Sequence, residues 1–100
     1  MRKVFLIVVA TVLLVSGHAI AADAAAGKAV SARCISCHGV AGISPIGIYP
    51  NLAGQKEQYL KKQINAFRSG KRVDPSMTAM VAGLTDSDAA NLAAFYSGIK

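Results

Sequence analysis

An all-α fold of about four helices is what this sequence predicts, and three observations carry the prediction. Nowhere in residues 22–100 do apolar and polar residues alternate long enough to build a sheet. Asp23, Asp74 and Thr85 each stand where a short oxygen-bearing side chain would cap the start of a helix. Along Leu60, Ile64 and Phe67, and again along Ala89, Leu92 and Tyr96, apolar residues recur at spacings of three and four, the period of a helix that buries one face.

The chain opens on a segment that is not part of that fold. Arg2 and Lys3 precede an apolar run over residues 4–15, interrupted only by Thr11, and small and polar residues follow. This is the pattern of a secretory signal peptide, with Ala19-Ile20-Ala21 as the small residues before cleavage, so residues 1–21 are expected to be removed and Ala22 to begin the mature protein. An uncleaved anchor is the alternative, since residues 4–22 are nearly long enough to span a bilayer, although Ser16, Gly17 and His18 interrupt the run. Either way the remainder is exported. The positive mean hydropathy of +0.41 comes largely from this segment, and residues 22–100 hold no second apolar run of membrane-spanning length.

Asp23 then caps a first helix over about residues 24–33, which delivers the chain to Cys34-Ile35-Ser36-Cys37-His38. In a C-x-x-C-H stretch the two thiols lie about one helical turn apart, so each can add across one vinyl group of a porphyrin while the next residue brings an imidazole beneath the iron. Three plainer readings compete. A redox-active dithiol calls for a βαβ setting that the sequence lacks. A structural zinc site needs four ligands, and the chain has two Cys and two His, one of them in the leader. A simple disulfide leaves His38 as coincidence. Covalent attachment of one c-type haem (heme c) through Cys34 and Cys37, with His38 on the iron, accounts for all three residues.

So short a domain needs a staple, and both cysteines would be consumed by the cofactor. The porphyrin would therefore supply much of the apolar core, and the apoprotein is expected to fold poorly. Residues 39–54 hold four glycines and two of the three prolines and read as a loop. Its Ile43, Ile46, Ile48 and Leu52 are unusual for a solvated loop and are expected to wrap a haem face.

A second helix is expected over residues 55–69, with Leu60, Ile64 and Phe67 on one face beside Tyr59, and Gly70 ends it. Asp74-Pro75 opens a short helix through Met77 and Met80 to about Ala82. Thr85 caps the last helix, with Asp86 and Asp88 in its first turn and Ala89, Leu92 and Tyr96 on its apolar face. With His18 lost in the leader, His38 is the one imidazole left, so bis-histidine ligation within the subunit is excluded. The soft donors that remain for a sixth iron position are the thioethers of Met77 and Met80, three residues apart on one face, and periodicity does not separate them.

Taken together, Cys34-Ile35-Ser36-Cys37-His38-Gly39, Ser44-Pro45, Tyr49-Pro50-Asn51-Leu52-Ala53-Gly54-Gln55, Tyr59-Leu60-x-x-Gln63, Met77-Thr78-x-Met80 and Leu84-Thr85-Asp86 before Leu92-Ala93-Ala94-Phe95-Tyr96 resemble the class I c-type cytochromes, in particular small cytochrome c553 and cytochrome c4-like domains. The likeness spans nearly all of residues 23–100. It implies a small helical fold wrapped around one haem, Met77 as the axial methionine, and Pro45 as the proline whose carbonyl receives the imidazole N–H. The chain departs from many members in lacking an aromatic on the first helix, where Gly27 and Val30 precede Ser31. Contact with Phe95 and Tyr96 must then be made by smaller groups.

A haem with both axial positions filled exchanges one electron with little change in geometry, so the expected task is that of a periplasmic electron carrier, not an enzyme. The acids left in the mature chain, Asp23, Glu57, Asp74, Asp86 and Asp88, all fall at or near helix starts, where the helix dipole explains them, and no acid–base pair is left for catalysis. A cytochrome subunit of a periplasmic dehydrogenase, such as a flavocytochrome, is the alternative. Removing Arg2 and Lys3 from the net charge of +6 leaves +4, and two haem propionates would bring this to about +2. Lys61, Lys62, Arg68, Lys71 and Arg72 form either a docking patch for an acidic redox partner or a solvated helix face. The charge is too modest to indicate nucleic-acid binding, and a monomer or small complex is expected.

Overall fold

The computed structural model describes residues 2–12 and 21–100. Residues 2–12 carry no regular structure and are exposed. Most of the proposed cleavage motif, like His18, lies outside the described residues. Five α-helices follow: α1 (Ala24–Val30), α2 (Ile35–His38), α3 (Glu57–Ser69), α4 (Pro75–Met80) and α5 (Asp86–Ser97), with a 3-10 turn at Ser31–Cys34 joining α1 to α2. No strand occurs among the described residues, and the fold is all-α.

The caps read from sequence are in place. Asp23 Oδ1 accepts from the N–H groups of Ala25 at 2.9 Å and Ala26 at 3.1 Å. Asp74 Oδ1 accepts from Ser76 and Met77, both at 2.9 Å. Thr85 and Asp88 form a reciprocal capping box, each side chain bonded to the other's backbone N–H at 3.0 Å. Gly70 stops α3 in the left-handed region at φ 79°, where a side chain would be strained. Boundaries differ at three places. The first helix tightens into the 3-10 turn after Val30, where the Ser31 hydroxyl donates to the Lys28 carbonyl at 2.6 Å. α3 begins at Glu57, with Lys56 at its head in extended backbone and supplying no side-chain cap. α4 ends at Met80, and Gly83 then turns the chain with φ 80°.

The core is built where α5 meets the rest. Leu92, Ala93 and Tyr96 of α5 pack with Leu60 and Phe67 of α3 and with Val81 and Leu84 from the α4–α5 connection. α1 and α5 form the most extensive helix pair. Gly27 lies against the backbone of Asn91 and Leu92 so closely that an added Cβ would collide with the Asn91 carbonyl oxygen. The Asn91 side chain accepts from the Asp23 N–H at 2.8 Å, which fixes how far α1 slides along α5. Arg68 ties α3 to the head of α5 by donating to Leu84 O at 3.0 Å and Asp86 Oδ1 at 2.9 Å.

The loop between α2 and α3 is less uniform in its burial than its composition suggests. Leu52 packs against the core, and Ile48, though 82% exposed, borders the central cavity with it. Ile43 and Ile46 stay exposed and do not face that cavity, because the turn that carries them points outward.

Candidate functional site

A mostly apolar cavity of about 480 Å³ runs through the middle of the fold, within the range of sites that take a cofactor. Cys34, Cys37 and His38 stand on one side of it, Met77 and Met80 belong to α4, and Leu60, Ile64 and Phe67 contribute the apolar face of α3. The sulfur and imidazole groups singled out in the sequence are thus brought to a single space.

Local structure explains the arrangement. The 3-10 turn followed by the single turn of α2 presents both thiols half-buried and unpaired, and places His38 at the C-terminus of α2 with only 5% of its surface exposed. Gly39 continues at φ 83°, and a Cβ there would meet the Ile43 carbonyl, so the chain can double back directly after the imidazole. Burial pushes the Cys34 thiol above its ordinary pKa, the Tyr96 hydroxyl and the Arg33 guanidinium opposing that effect. Tyr96 is shifted upward as well, by burial first and then by Cys34 beside it. Its hydroxyl is enclosed without a partner in hydrogen-bond geometry among the described residues.

The imidazole is oriented by Pro50, not by Pro45. His38 Nδ1–H donates to the Pro50 carbonyl oxygen at 2.9 Å, which leaves Nε2 as the nitrogen available to a metal. Pro45 is exposed on the outside of the loop because its neighbour Ser44 is drawn elsewhere. The Ser44 hydroxyl bonds to the carbonyls of Cys37 at 3.0 Å and Ile46 at 2.7 Å, and its N–H to Asn51 Oδ1 at 2.7 Å. Pro50 is carried back under the imidazole by the Gly42 carbonyl, which accepts from Leu52 N at 2.8 Å and Ala53 N at 3.0 Å. The sequence signal for this residue was the Tyr49-Pro50-Asn51 run. Tyr49 adds a tilted ring contact to His38, with centroids 6.3 Å apart.

Met77 and Met80 both border the cavity, but they are held differently. Met77 is partly buried and packs against the core, whereas Met80 is 44% exposed. The arginines on the cavity wall, Arg33 and Arg72, and Gln63 beside them were not recognised from sequence as site residues, because cationic side chains at irregular spacing carry no local pattern.

This set of residues, on this fold, has close counterparts. A sequence profile described as Cytochrome c matches residues 24–99. The chain belongs to the cytochrome c family. Over 80 residues it is 46% identical to cytochrome c4 of Pseudomonas aeruginosa, covering 80% of this chain and 40% of that protein. It is equally similar over 80 residues to cytochrome c-554(548) of Halomonas halodenitrificans, covering 77% of this chain and 96% of that one. A thiosulfate dehydrogenase electron acceptor of Thiomonas intermedia is 40% identical over 77 residues, 76% of this chain and 36% of that protein. Among solved structures, reduced recombinant cytochrome c4 from Pseudomonas stutzeri superposes with a TM-score of 0.76 at 40% identity, over 80% of this chain and 47% of that one. The cytochrome thus spans about half, or less, of the length of its cytochrome c4 relatives and nearly the whole of c-554(548).

Membership implies a covalently bound c-type haem. The residues present fit that group. Two unpaired thiols, an imidazole with its proton already assigned and a soft thioether share one cavity, and an unsatisfied buried hydroxyl adjoins it. No described helix is long and apolar enough to cross a membrane.

Proposed function

We propose that this cytochrome is a periplasmic one-electron carrier, exported by a leader over residues 1–21, with residues 22–100 as its single haem domain. Cys34 and Cys37 would hold the haem through thioether bonds, and His38 and Met77 would be the residues that ligate its iron. The observation that carries the reading is the convergence of these four side chains on one cavity, with His38 Nδ1 committed to Pro50. When bound, the haem supplies an iron that gains and loses a single electron. The chain's own residues do the rest. Pro50 fixes the plane and the tautomer of the imidazole, so its nitrogen need not reorient during the redox step. Leu60, Phe67 and Leu92 exclude water from the interior, and Met77 contributes a thioether that favours the reduced state.

The test is denaturing electrophoresis of periplasmic protein followed by a haem stain. A coloured band near the mass of residues 22–100 is expected, and a colourless one from matured protein rejects the proposal.

A second reading, that of an electron-relaying subunit of a dehydrogenase, is favoured by the likeness to thiosulfate dehydrogenase electron acceptors and to a solved thiosulfate dehydrogenase from Marichromatium purpuratum, which matches at a TM-score of 0.74 and 30% identity over 79% of this chain and 20% of that one. Size-exclusion chromatography of native-source protein separates the two. A stoichiometric complex supports the subunit, and elution at the size of the free chain supports the diffusible carrier.

A further inference from the structure

Tyr96 carries a hydroxyl into a place that an aromatic ring alone would fill. Its side chain is 2% exposed, packs with Leu60, Phe67 and Leu92, and lines the cavity together with Cys34. The hydroxyl oxygen is enclosed and has no partner in hydrogen-bond geometry among the described residues. A buried O–H without an acceptor costs free energy that a phenylalanine of nearly the same shape would avoid. The ring is hemmed in as well. A Cβ on Gly42 would come within 3.0 Å of it, and the Phe95 ring lies 4.9 Å away between centroids. The hydroxyl therefore has to find its acceptor inside the fold.

Two groups adjoin it, the sulfur of Cys34 and the hydroxyl of Ser31. Neither has a proton to offer once the domain is complete. Ser31, itself 3% exposed, directs its single O–H to the Lys28 carbonyl at 2.6 Å. A Cys34 sulfur bonded to a porphyrin carbon has lost its S–H and keeps only lone pairs. Tyr96 is thus a donor, and it retains its proton at neutral pH, because burial first and Cys34 second hold the hydroxyl well above its ordinary pKa. Cys34 acts on it more strongly than Ser31 does. The polar neighbour of Cys37 is instead the exposed Ser36 hydroxyl at 3.9 Å, so the two attachment sulfurs differ in their surroundings.

We infer that the Tyr96 hydroxyl donates a hydrogen bond to the sulfur of the Cys34 thioether, and that Tyr96 is a positioning residue that makes the two haem attachments electronically unequal. The inference rests on the reading of this cavity as the haem site. A donor at that sulfur draws electron density from the porphyrin edge, which stabilises the electron-richer ferrous state and raises the potential.

The test compares matured holoprotein of the parent, Tyr96→Phe and Ser31→Ala at neutral pH. In the reduced, diamagnetic parent, proton NMR is expected to show a hydroxyl resonance that exchanges slowly with water, has Overhauser contacts to the Cys34 β protons and is missing from Tyr96→Phe. The midpoint potential of Tyr96→Phe is expected below the parent's, and that of Ser31→Ala equal to it. A merely structural hydroxyl would change the melting temperature and leave the potential where it was, so an unchanged or higher potential in Tyr96→Phe overturns the inference. Overhauser contacts to Ser31 in place of Cys34, or an equal fall in Ser31→Ala, move the acceptor to the serine and overturn it as well. If Tyr96→Phe fails to mature, the parent's resonance decides alone. Slow exchange with contacts to Cys34 supports the hydrogen bond, and fast exchange or no such contact rejects it. A colourless parent sinks the haem site itself, whereas a coloured parent without these signatures sinks only the role of Tyr96.

Discussion

His38 Nδ1 lies 2.9 Å from the carbonyl oxygen of Pro50, and that bond is held in place by the Gly42 carbonyl, which folds Leu52 and Ala53 back beneath it. Gly42 has φ 72°, and a Cβ there would come within 2.8 Å of Ala53 N and 3.0 Å of the Tyr96 ring. Gly42→Ala is therefore expected to destabilise the holoprotein by about 1–3 kcal/mol and to loosen the imidazole. Denaturant unfolding reads the first effect. The Nδ1 proton resonance of His38 reads the second, since it should exchange faster with solvent in the variant.

Gly27→Ala tests the α1–α5 contact. The added methyl would collide with the Asn91 carbonyl, and backbone cannot step aside as a flexible side chain can. A loss of about 1–3 kcal/mol or more is expected in thermal or chemical unfolding. Stability equal to the parent's would mean that the helices do not approach this closely.

Met77→Ala is expected to abolish the sulfur-to-iron charge-transfer absorption of the oxidised protein, to lower its potential and to let the reduced form bind carbon monoxide. Met80→Ala should keep that absorption and, at a residue 44% exposed, cost about 1 kcal/mol or less. The opposite pattern transfers the ligand to Met80.

Cys34→Ala and Cys37→Ala each leave a single thioether. Lower holoprotein yield and a reduced melting temperature are expected for both, because the haem would fill the cavity lined by α3 and the Cys34–His38 segment. Parent-like yield and melting in both variants would show that the cofactor is not the staple of the fold.

The capping box gives a pH dependence. The backbone N–H of Thr85 holds the Asp88 carboxyl below the ordinary carboxylate range. A depressed folded pKa means that the contribution is fully present above the unfolded value and is lost as pH falls toward the folded one. Asp88→Asn should therefore reduce the fall in stability on acidification below about pH 4, measured as denaturation midpoint against pH. Thr85→Ala should cost about 1 kcal/mol at neutral pH.

The features legible in the chain alone are those written in local codes. Asp23, Asp74 and Thr85 mark helix starts because a short oxygen-bearing side chain reaches N–H groups two or three residues ahead, and Gly70 marks an end because a left-handed turn favours a residue without Cβ. The Cys34, Cys37 and His38 group is legible for the same reason, as its chemistry is set by spacing within one turn. Tertiary structure decided what depends on distant partners. Pro45 and Pro50 are equivalent as loop prolines until the Gly42 carbonyl captures Leu52 and Ala53 and brings one of them under His38. Met77 and Met80 share a helix face until core packing partly buries the first and leaves the second 44% exposed. Gly27 has no evident role until α5 presses against it, and Arg72 reads as one more basic residue until Gln63 and Phe67 hold it at the cavity edge. Each of these rests on contacts between residues far apart in the chain, or on packing against a surface built from several elements, and no local pattern encodes them.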